Sequence, residues 1–478
     1  MLRPRFLTKF LLCATAIAAL AFVTVTGQTP ASPGHRIAVF GSSVANGTGD
    51  DLGKEGYTGR LRELLAPRGW EVLNQSRGGD NTKTMATRFA PEGTPDPKVR
   101  YLLPVNPNYV LLGLSLGNEG ILGPDSSLAP DAAKVKKDAI FAQFESGMRG
   151  FVDASRRHHI VPVITLCYTR NDFTAVEYEY TRRMNLLINT WDVPSVNFLG
   201  AVDDGTGKWA NGFWHDALHP NAAGHAEMLR TFVPSLFDAI EQGKPGPGAR
   251  INSGPSVTGF AHLASGDAPI IFSPDESMHP FAFGVTVRVQ ADGTFASVKG
   301  STLTLASQMK REDRPGGRGA LEFEASTLTL AGAFTETVGV KRGVLELTAS
   351  NGSVVSSPVK ADGQWHRVIV SHYTARGETL FFVDGTLAGT VSERLEPKTF
   401  ALGGSMPADF KNLLIYRSAL NADEAAALEK GTLLQASLEI YSPLDDAKNP
   451  KNGMLANRAQ SLTAATFGSG KASTSRSH

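Results

Sequence analysis

The first half of the chain sorts its apolar residues in two alternating ways. Short continuous runs at 36–40, 70–74, 109–115, 160–166 and 196–199 have the length and bounds of strands buried on both faces. Between them lie stripes at helical spacing. One carries Tyr57, Leu61, Leu64 and Leu65; the clearest carries Ile140, Phe141, Phe144, Met148, Phe151 and Val152. Another runs from Ala223 through Leu229, Phe232, Val233, Leu236, Phe237 and Ile240, and Pro234 should kink it or end it early. Strands alternating with helices predict a parallel sheet covered on both faces, with the Met and Phe stripes as core.

After Lys244-Pro-Gly-Pro-Gly248 and Ser253-Gly-Pro255, which read as a linker over 243–256, the period changes to two. Phe281, Phe283, Val285, Val287 and Val289 alternate with smaller or polar residues, the pattern of a half-buried antiparallel strand. Residues 380–391 read as a hairpin, with Asp384-Gly385 supplying the positive dihedrals of a tight turn. One helix is predicted from Asn421, which caps it while Glu424 reaches back to the cap amide. Trp365 is expected in the core, because apolar residues alternate around it. The second half, 257–467, is thus expected to be an all-β sandwich, with a disordered Ser/Gly/Lys-rich tail over 468–478.

Composition narrows the partners. The chain has 478 residues, with 47 Lys+Arg against 46 Asp+Glu. No basic excess exists to neutralise phosphates, so no nucleic-acid partner is expected. Arg3, Arg5 and Lys9 precede an apolar run from Phe10 to Val25 that ends in Thr26-Gly27. This reads as a signal peptide over 1–27, and implies a secreted or periplasmic protein with no membrane span in its mature chain. An uncleaved anchor is the alternative, against the ~20 residues needed to span. Cys13 sits in that run, leaving Cys167 in an apolar strand as inert packing.

Candidate chemistry begins where the first strand ends. Ile37 to Phe40 stops at Gly41 and delivers Ser42 and Ser43 beyond the carboxyl end of the sheet, where ligands of open α/β sheets bind. Far downstream, Asp216-Ala-Leu-His219 lets a carboxylate fix the ring of a histidine, leaving its other nitrogen to take a proton from a serine. Two further strands run into Gly79 (Val72 to Thr82) and into Gly117-Asn118-Glu119.

On these four blocks, residues 35–242 resemble the SGNH hydrolases, the GDSL-type esterases and lipases. The resemblance implies a flavodoxin-like three-layer domain with a parallel sheet. It implies Ser43 as nucleophile, His219 as general base and Asp216 as its orienting partner. It also implies an oxyanion hole from the N–H groups of Ser43 and Gly79 and the side-chain amide of Asn118. The sequence departs from the family pattern at Ser42, where Asp is usual, and at Glu119, where the third block often has Asp. Ser42 remains an alternative nucleophile. The second half resembles laminin-G-like/concanavalin-type jelly rolls, through Gly363-Gln-Trp-His-Arg-Val-Ile-Val370, the 380–391 hairpin, and Phe410 to Leu420 leading into the capped helix. No cofactor or metal is implied, and Asp445 with Asp446 reads as a solvated pair.

Together these readings lead to an exported serine esterase acting on O-acyl, preferably O-acetyl, esters of carbohydrates or other small esters. A glycan polymer is the partner that the sandwich's company suggests. A lipase or lysophospholipase is the alternative enzyme. A glycan-binding protein with a degenerate hydrolase half, Ser42 being its first sign, is the alternative outside enzymes.

Overall fold

The apolar runs of the first half become β1 (Arg36–Gly41), β2 (Glu71–Asn74), β3 (Tyr109–Gly113), β4 (Val161–Thr165) and β5 (Ser195–Val196). They pair in parallel in the order β2-β1-β3-β4-β5, the doubly wound order of flavodoxin-like sheets. The computed structural model describes residues 35–122, 128–251, 259–311, 321–445 and 453–468. The expected signal peptide with Cys13, the tail beyond Gly468, Asp446 and linker residues 252–256 lie outside the described residues.

Side chains alternate across each strand, so two helical layers share the sheet. Ala38, Phe40, Val110 and Leu112 face α4 (Pro130–Arg157) and α5 (Ala175–Asn189), through Phe144, Met148, Phe151, Tyr180 and Met184. Ile37, Val39, Tyr109 and Leu111 face α2 (Gly56–Leu65), α7 (Ala222–Arg230) and α8 (Leu236–Glu241), through Leu61, Leu65, Met228, Leu236 and Phe237. Smaller helices complete this half: α1 (Ser43–Asn46), α3 (Thr82–Ala86) and α6 (Leu199–Val202). The stripe expected from Ala223 is broken between Arg230 and Leu236, around Pro234, whose ring and missing N–H cannot continue a helix. The run at 196–199 keeps only Ser195–Val196 as strand, and Leu199 already opens α6. Among the described residues no helix is long and apolar enough to cross a membrane.

The second half is antiparallel throughout. Its strands are β6 (Ala261–Leu263), β7 (Ile270–Phe272), β8 (Phe281–Arg288), β9 (Gly293–Arg311), β10 (Leu321–Lys341), β11 (Val344–Thr348) and β12 (Val354–Lys360). They continue as β13 (Trp365–Tyr373), β14 (Glu378–Val383), β15 (Thr386–Ser392), β16 (Leu395–Leu402), β17 (Ala408–Tyr416), β18 (Leu438–Ser442) and β19 (Thr466–Phe467). One sheet runs β12-β11-β10-β9-β16-β7-β19 and the other β15-β14-β13-β8-β17-β18, with β6 beside β17. Phe283, Val285, Val287, Val298, Val338, Val368 and Phe410 fill the space between them. The inward alternation of β13 falls on Val368 and Val370, so Trp365 stands on the outer face and is half-buried instead of lying in the core. Helix α9 (Ala422–Glu429) has the expected capping box, Asn421 with Glu424.

The halves pack as one unit. Leu186 of α5 joins the apolar layer of Ile369, Tyr416, Leu420, Ala425 and Leu428 on the sandwich's outer face. Arg182 Nη1 donates to Asp423 (2.5 Å), Asn197 Nδ2 to Glu424 (2.9 Å) and the Asn197 N–H to Ser437 Oγ (2.8 Å). Residues 243–251, expected as a linker, are tied along this seam: the Ile251 N–H donates to the Gly431 carbonyl at 3.0 Å, and Ile251 is buried.

Candidate active site

The strand order reverses between β1 and β3, and at such a switch point the loops after adjacent strands diverge and leave a crevice. Ser43 stands at the end of β1 and Asn118 in the turn after β3, so both border it. Gly41 makes the turn possible. A Cβ there would lie 2.2 Å from the Gly113 carbonyl oxygen, so only hydrogen fits between the two strand ends. The chain turns at Ser42, and Ser43 opens α1, where the first amides have no intrahelical carbonyl to bond.

The structure brings Ser43, His219 and Asp216 together from positions 176 residues apart. Ser43 Oγ lies 3.0 Å from His219 Nε2, and His219 Nδ1 lies 2.9 Å from both carboxylate oxygens of Asp216. With the ring proton on Nδ1, Nε2 accepts from the Ser43 hydroxyl. Asp216 Oδ1 also accepts the N–H groups of Leu218 (2.7 Å) and His219 (2.9 Å), which closes the loop on itself. Asn171 pins this loop from outside, its N–H donating to the Ala217 carbonyl at 2.9 Å. Burial pushes the Asp216 carboxyl up, but the hydrogen bonds from the His219 ring and the Leu218 N–H, with the charge of His219, hold it below its ordinary value.

Gly79 and Asn118 line the same cavity as Ser43 and His219, a space of about 440 Å³ that also meets Thr48, Gly78, Asp80, Tyr168, Arg170 and Leu218. Gly79 sits at φ +82°, left-handed backbone that suits glycine. Asn118 is fixed at both ends of its amide. Oδ1 accepts the Ser115 N–H at 3.0 Å, and Nδ2 donates to Ser42 Oγ at 3.1 Å, leaving the second N–H of that nitrogen for another acceptor. Ser42 is wholly buried, whereas Ser43 is partly open.

Apart from Glu119, already noted in the third block, several supporting residues carry no signal in the sequence. Asp80 is buried beside the glycine turn and receives Arg77 Nη2 at 2.5 Å and Arg88 Nε at 2.8 Å. Glu119 is buried too, and accepts the Thr82 N–H (3.0 Å) and Gln143 Nε2 (2.6 Å), linking the Asn118 turn to the Gly79 turn through α3. Arg170 donates to Asp172 (2.9 and 2.6 Å) and to the Gly117 carbonyl (3.1 Å), forming one wall of the cavity. His225 is buried behind the Thr48 loop: its Nδ1 accepts the Tyr57 N–H at 3.2 Å and its Nε2 donates to the Thr48 carbonyl at 3.0 Å. None of these has a local motif; each is recognisable only once distant turns meet. Cys167 is wholly buried, and burial pushes its thiol up to about 12.

Residues 39–227 match the model of the GDSL-like Lipase/Acylhydrolase family. No curated protein matches the chain. Similar solved structures include an acetyl-xylooligosaccharide esterase from Geobacillus Stearmophilus, 13% identical over 41% of this chain and 91% of that one, with a TM-score of 0.33. A psychrotrophic esterase from Pseudoalteromonas sp. is 17% identical over 44% and 97%, with a TM-score of 0.30. A GDSL-like lipase from Bacteroides thetaiotaomicron VPI-5482 is 12% identical over 44% and 89%, also at 0.30.

Proposed function

We propose that this chain is an exported serine esterase of SGNH type that hydrolyses short O-acyl esters, preferably O-acetyl groups on carbohydrates. The observation that carries the reading is the unbroken relay Ser43 Oγ, His219, Asp216, at 3.0 and 2.9 Å, opening on the same cavity as Gly79 and Asn118. Ser43 attacks the ester carbonyl while His219 takes its proton and Asp216 stabilises the charged ring. The tetrahedral oxyanion receives the N–H groups of Ser43 and Gly79 and the free N–H of Asn118 Nδ2. His219 then returns the proton to the leaving alcohol, and a water repeats the sequence to release the acid.

The cavity lining favours a short acyl group on a polar alcohol. Thr48, Asp80 and Arg170 stand in its wall beside Tyr168 and Leu218, so it offers polar partners as well as apolar surface. A long acyl chain gains its affinity from buried apolar area, and a space of about 440 Å³ leaves little room for such a chain beside a sugar. Turnover of p-nitrophenyl esters should therefore fall steeply as the acyl chain lengthens beyond butyrate, and acetylated polysaccharide should release acetate. A profile rising towards long chains would assign the lipase alternative; no turnover of any ester would assign the degenerate, glycan-binding one.

A further inference from the structure

The outer face of the sandwich is covered along part of its length by α9 and α5, but the covering stops short of one end. At and beyond its edge, where Arg367 still meets Glu429 of α9, strand register sets out two rows of side chains. Trp365, Arg288, Asp409 and His262 are successive cross-strand partners on β13, β8, β17 and β6; Arg367, Thr286 and Lys411 are partners in the next row. The inward positions of the same strands belong to Val285, Val287, Val368 and Phe410, so both rows face outward.

The charges in these rows do not cancel. Arg288 donates twice to Asp409 Oδ2 (2.9 and 2.6 Å), and His262 Nδ1 meets Oδ1 at 2.7 Å, so Asp409 is fully used. Arg367 has Glu429 at 3.8 Å. Among the described residues no carboxylate pairs with Lys411; its ammonium lies 4.2 Å from the centre of the Trp365 ring, and the charges that bear on it are the cations Arg367 and Arg288. Arg288 lies against both rings, 4.8 Å from the centre of Trp365 and 5.1 Å from that of Phe260, which themselves meet edge to face at 5.8 Å. Thr286, the cross-strand partner of Lys411, is 7% exposed, and its hydroxyl is buried with no partner. A cavity of about 520 Å³, lined by His262, Arg288, Gln290, Gly363 and Asp409, opens alongside.

A cation with no carboxylate partner, flanked by half-buried rings, is the complement of a carboxylate carried on a ring-shaped, partly apolar body. We propose that this face binds a carboxylate-bearing sugar residue of an acidic polysaccharide. The carboxylate takes the ammonium of Lys411, and the sugar lies along Arg288 and the Phe260–Trp365 rings towards the cavity. One uncompensated cation is too little to track a phosphate backbone, whose binding rests on many neutralised charges. The site is independent of ester hydrolysis, so it can be tested with the chemistry at Ser43 removed.

The test is affinity electrophoresis of the Ser43→Ala protein in gels holding polygalacturonate, the same polymer fully methyl-esterified, or double-stranded DNA. The acidic polymer should retard the protein, in a manner weakened by salt, while the esterified polymer should not. Lys411→Gln and Arg288→Gln should each weaken retardation at least fivefold, yet on the Ser43 background leave turnover of p-nitrophenyl acetate unchanged. Lys411→Gln removes a charge from a partly exposed side chain and keeps the fold testable where Trp365→Ala does not. Equal retardation by both forms of the polymer, retardation by DNA alone, or undiminished binding by Lys411→Gln would each overturn the assignment.

Discussion

Asn118 donates its side-chain N–H to the buried hydroxyl of Ser42 at 3.1 Å, next to the proposed nucleophile Ser43. A hydroxyl accepts the amide as a carboxylate would, without bringing a negative charge next to a developing oxyanion. In the proposed mechanism Ser42 is then a positioning residue. Ser42→Ala removes one hydrogen bond of about 0.5–1.5 kcal/mol and should lower kcat roughly three- to tenfold, with little change in KM. Asn118→Ala removes the donor itself and should cost about 10²–10³ in kcat. Steady-state kinetics on p-nitrophenyl acetate distinguish the two; equal losses would mean that Ser42 does more than hold Asn118.

The glycine turn offers a second check. A Cβ on Gly79 meets no atom within 4 Å, so sterics with neighbours do not forbid alanine there. The cost is conformational, about 1–2 kcal/mol for an L-residue in the left-handed region. Gly79→Ala should fold with a lowered Tm and lose turnover as its N–H tilts away. Gly41→Ala, whose Cβ would overlap the Gly113 carbonyl, should fail to give soluble protein. Soluble, fully active protein from both would refute this description of the turn.

His225 makes acid the weak side of the fold. Burial pushes its ring down to about 4, against the Thr48 carbonyl and Asp50, which raise it, and with Arg60 and His219, which lower it further. The folded chain therefore refuses a proton that the unfolded chain takes up between pH 6.5 and 4. The share of stability that the neutral His225 ring contributes is whole above pH 6.5 and is lost as pH falls through that window. Each tenfold weakening of proton affinity on folding is worth about 1.4 kcal/mol, so the loss is on the order of 3 kcal/mol. Gln at this position can accept from Tyr57 and donate to Thr48, so His225→Gln should flatten the acid limb in urea melts run from neutral pH down through that window. An unchanged limb would place the titrating group elsewhere.

The parts of the site that are legible in the sequence are those with local grammar. Ser43 follows an apolar run that stops at a glycine, and Asp216 and His219 share one turn, so backbone geometry alone brings them within reach. Glu424 is legible as half of a capping box, and it accepts the Asn421 N–H at 2.8 Å. Its second role, accepting from Asn197 across the seam, is not, because residues 227 apart in sequence leave no periodic trace. The same holds for Asp80 with Arg88 and Glu119 with Thr82, which look like solvated charges until the β1, β2 and β3 loops converge. Trp365 departs from expectation for a different reason. Alternation fixes which residues share a face, but not which face is inside, and its apolar character favours the wrong one.

Labelling by a fluorophosphonate tests the central claim most directly, because it requires an activated hydroxyl and a working oxyanion pocket but no knowledge of the natural ester. Intact-mass measurement after reaction should show one adduct on the wild-type chain, mapped to the peptide holding Ser43, and none on Ser43→Ala. An unlabelled wild type, or an adduct that persists in Ser43→Ala, would contradict it.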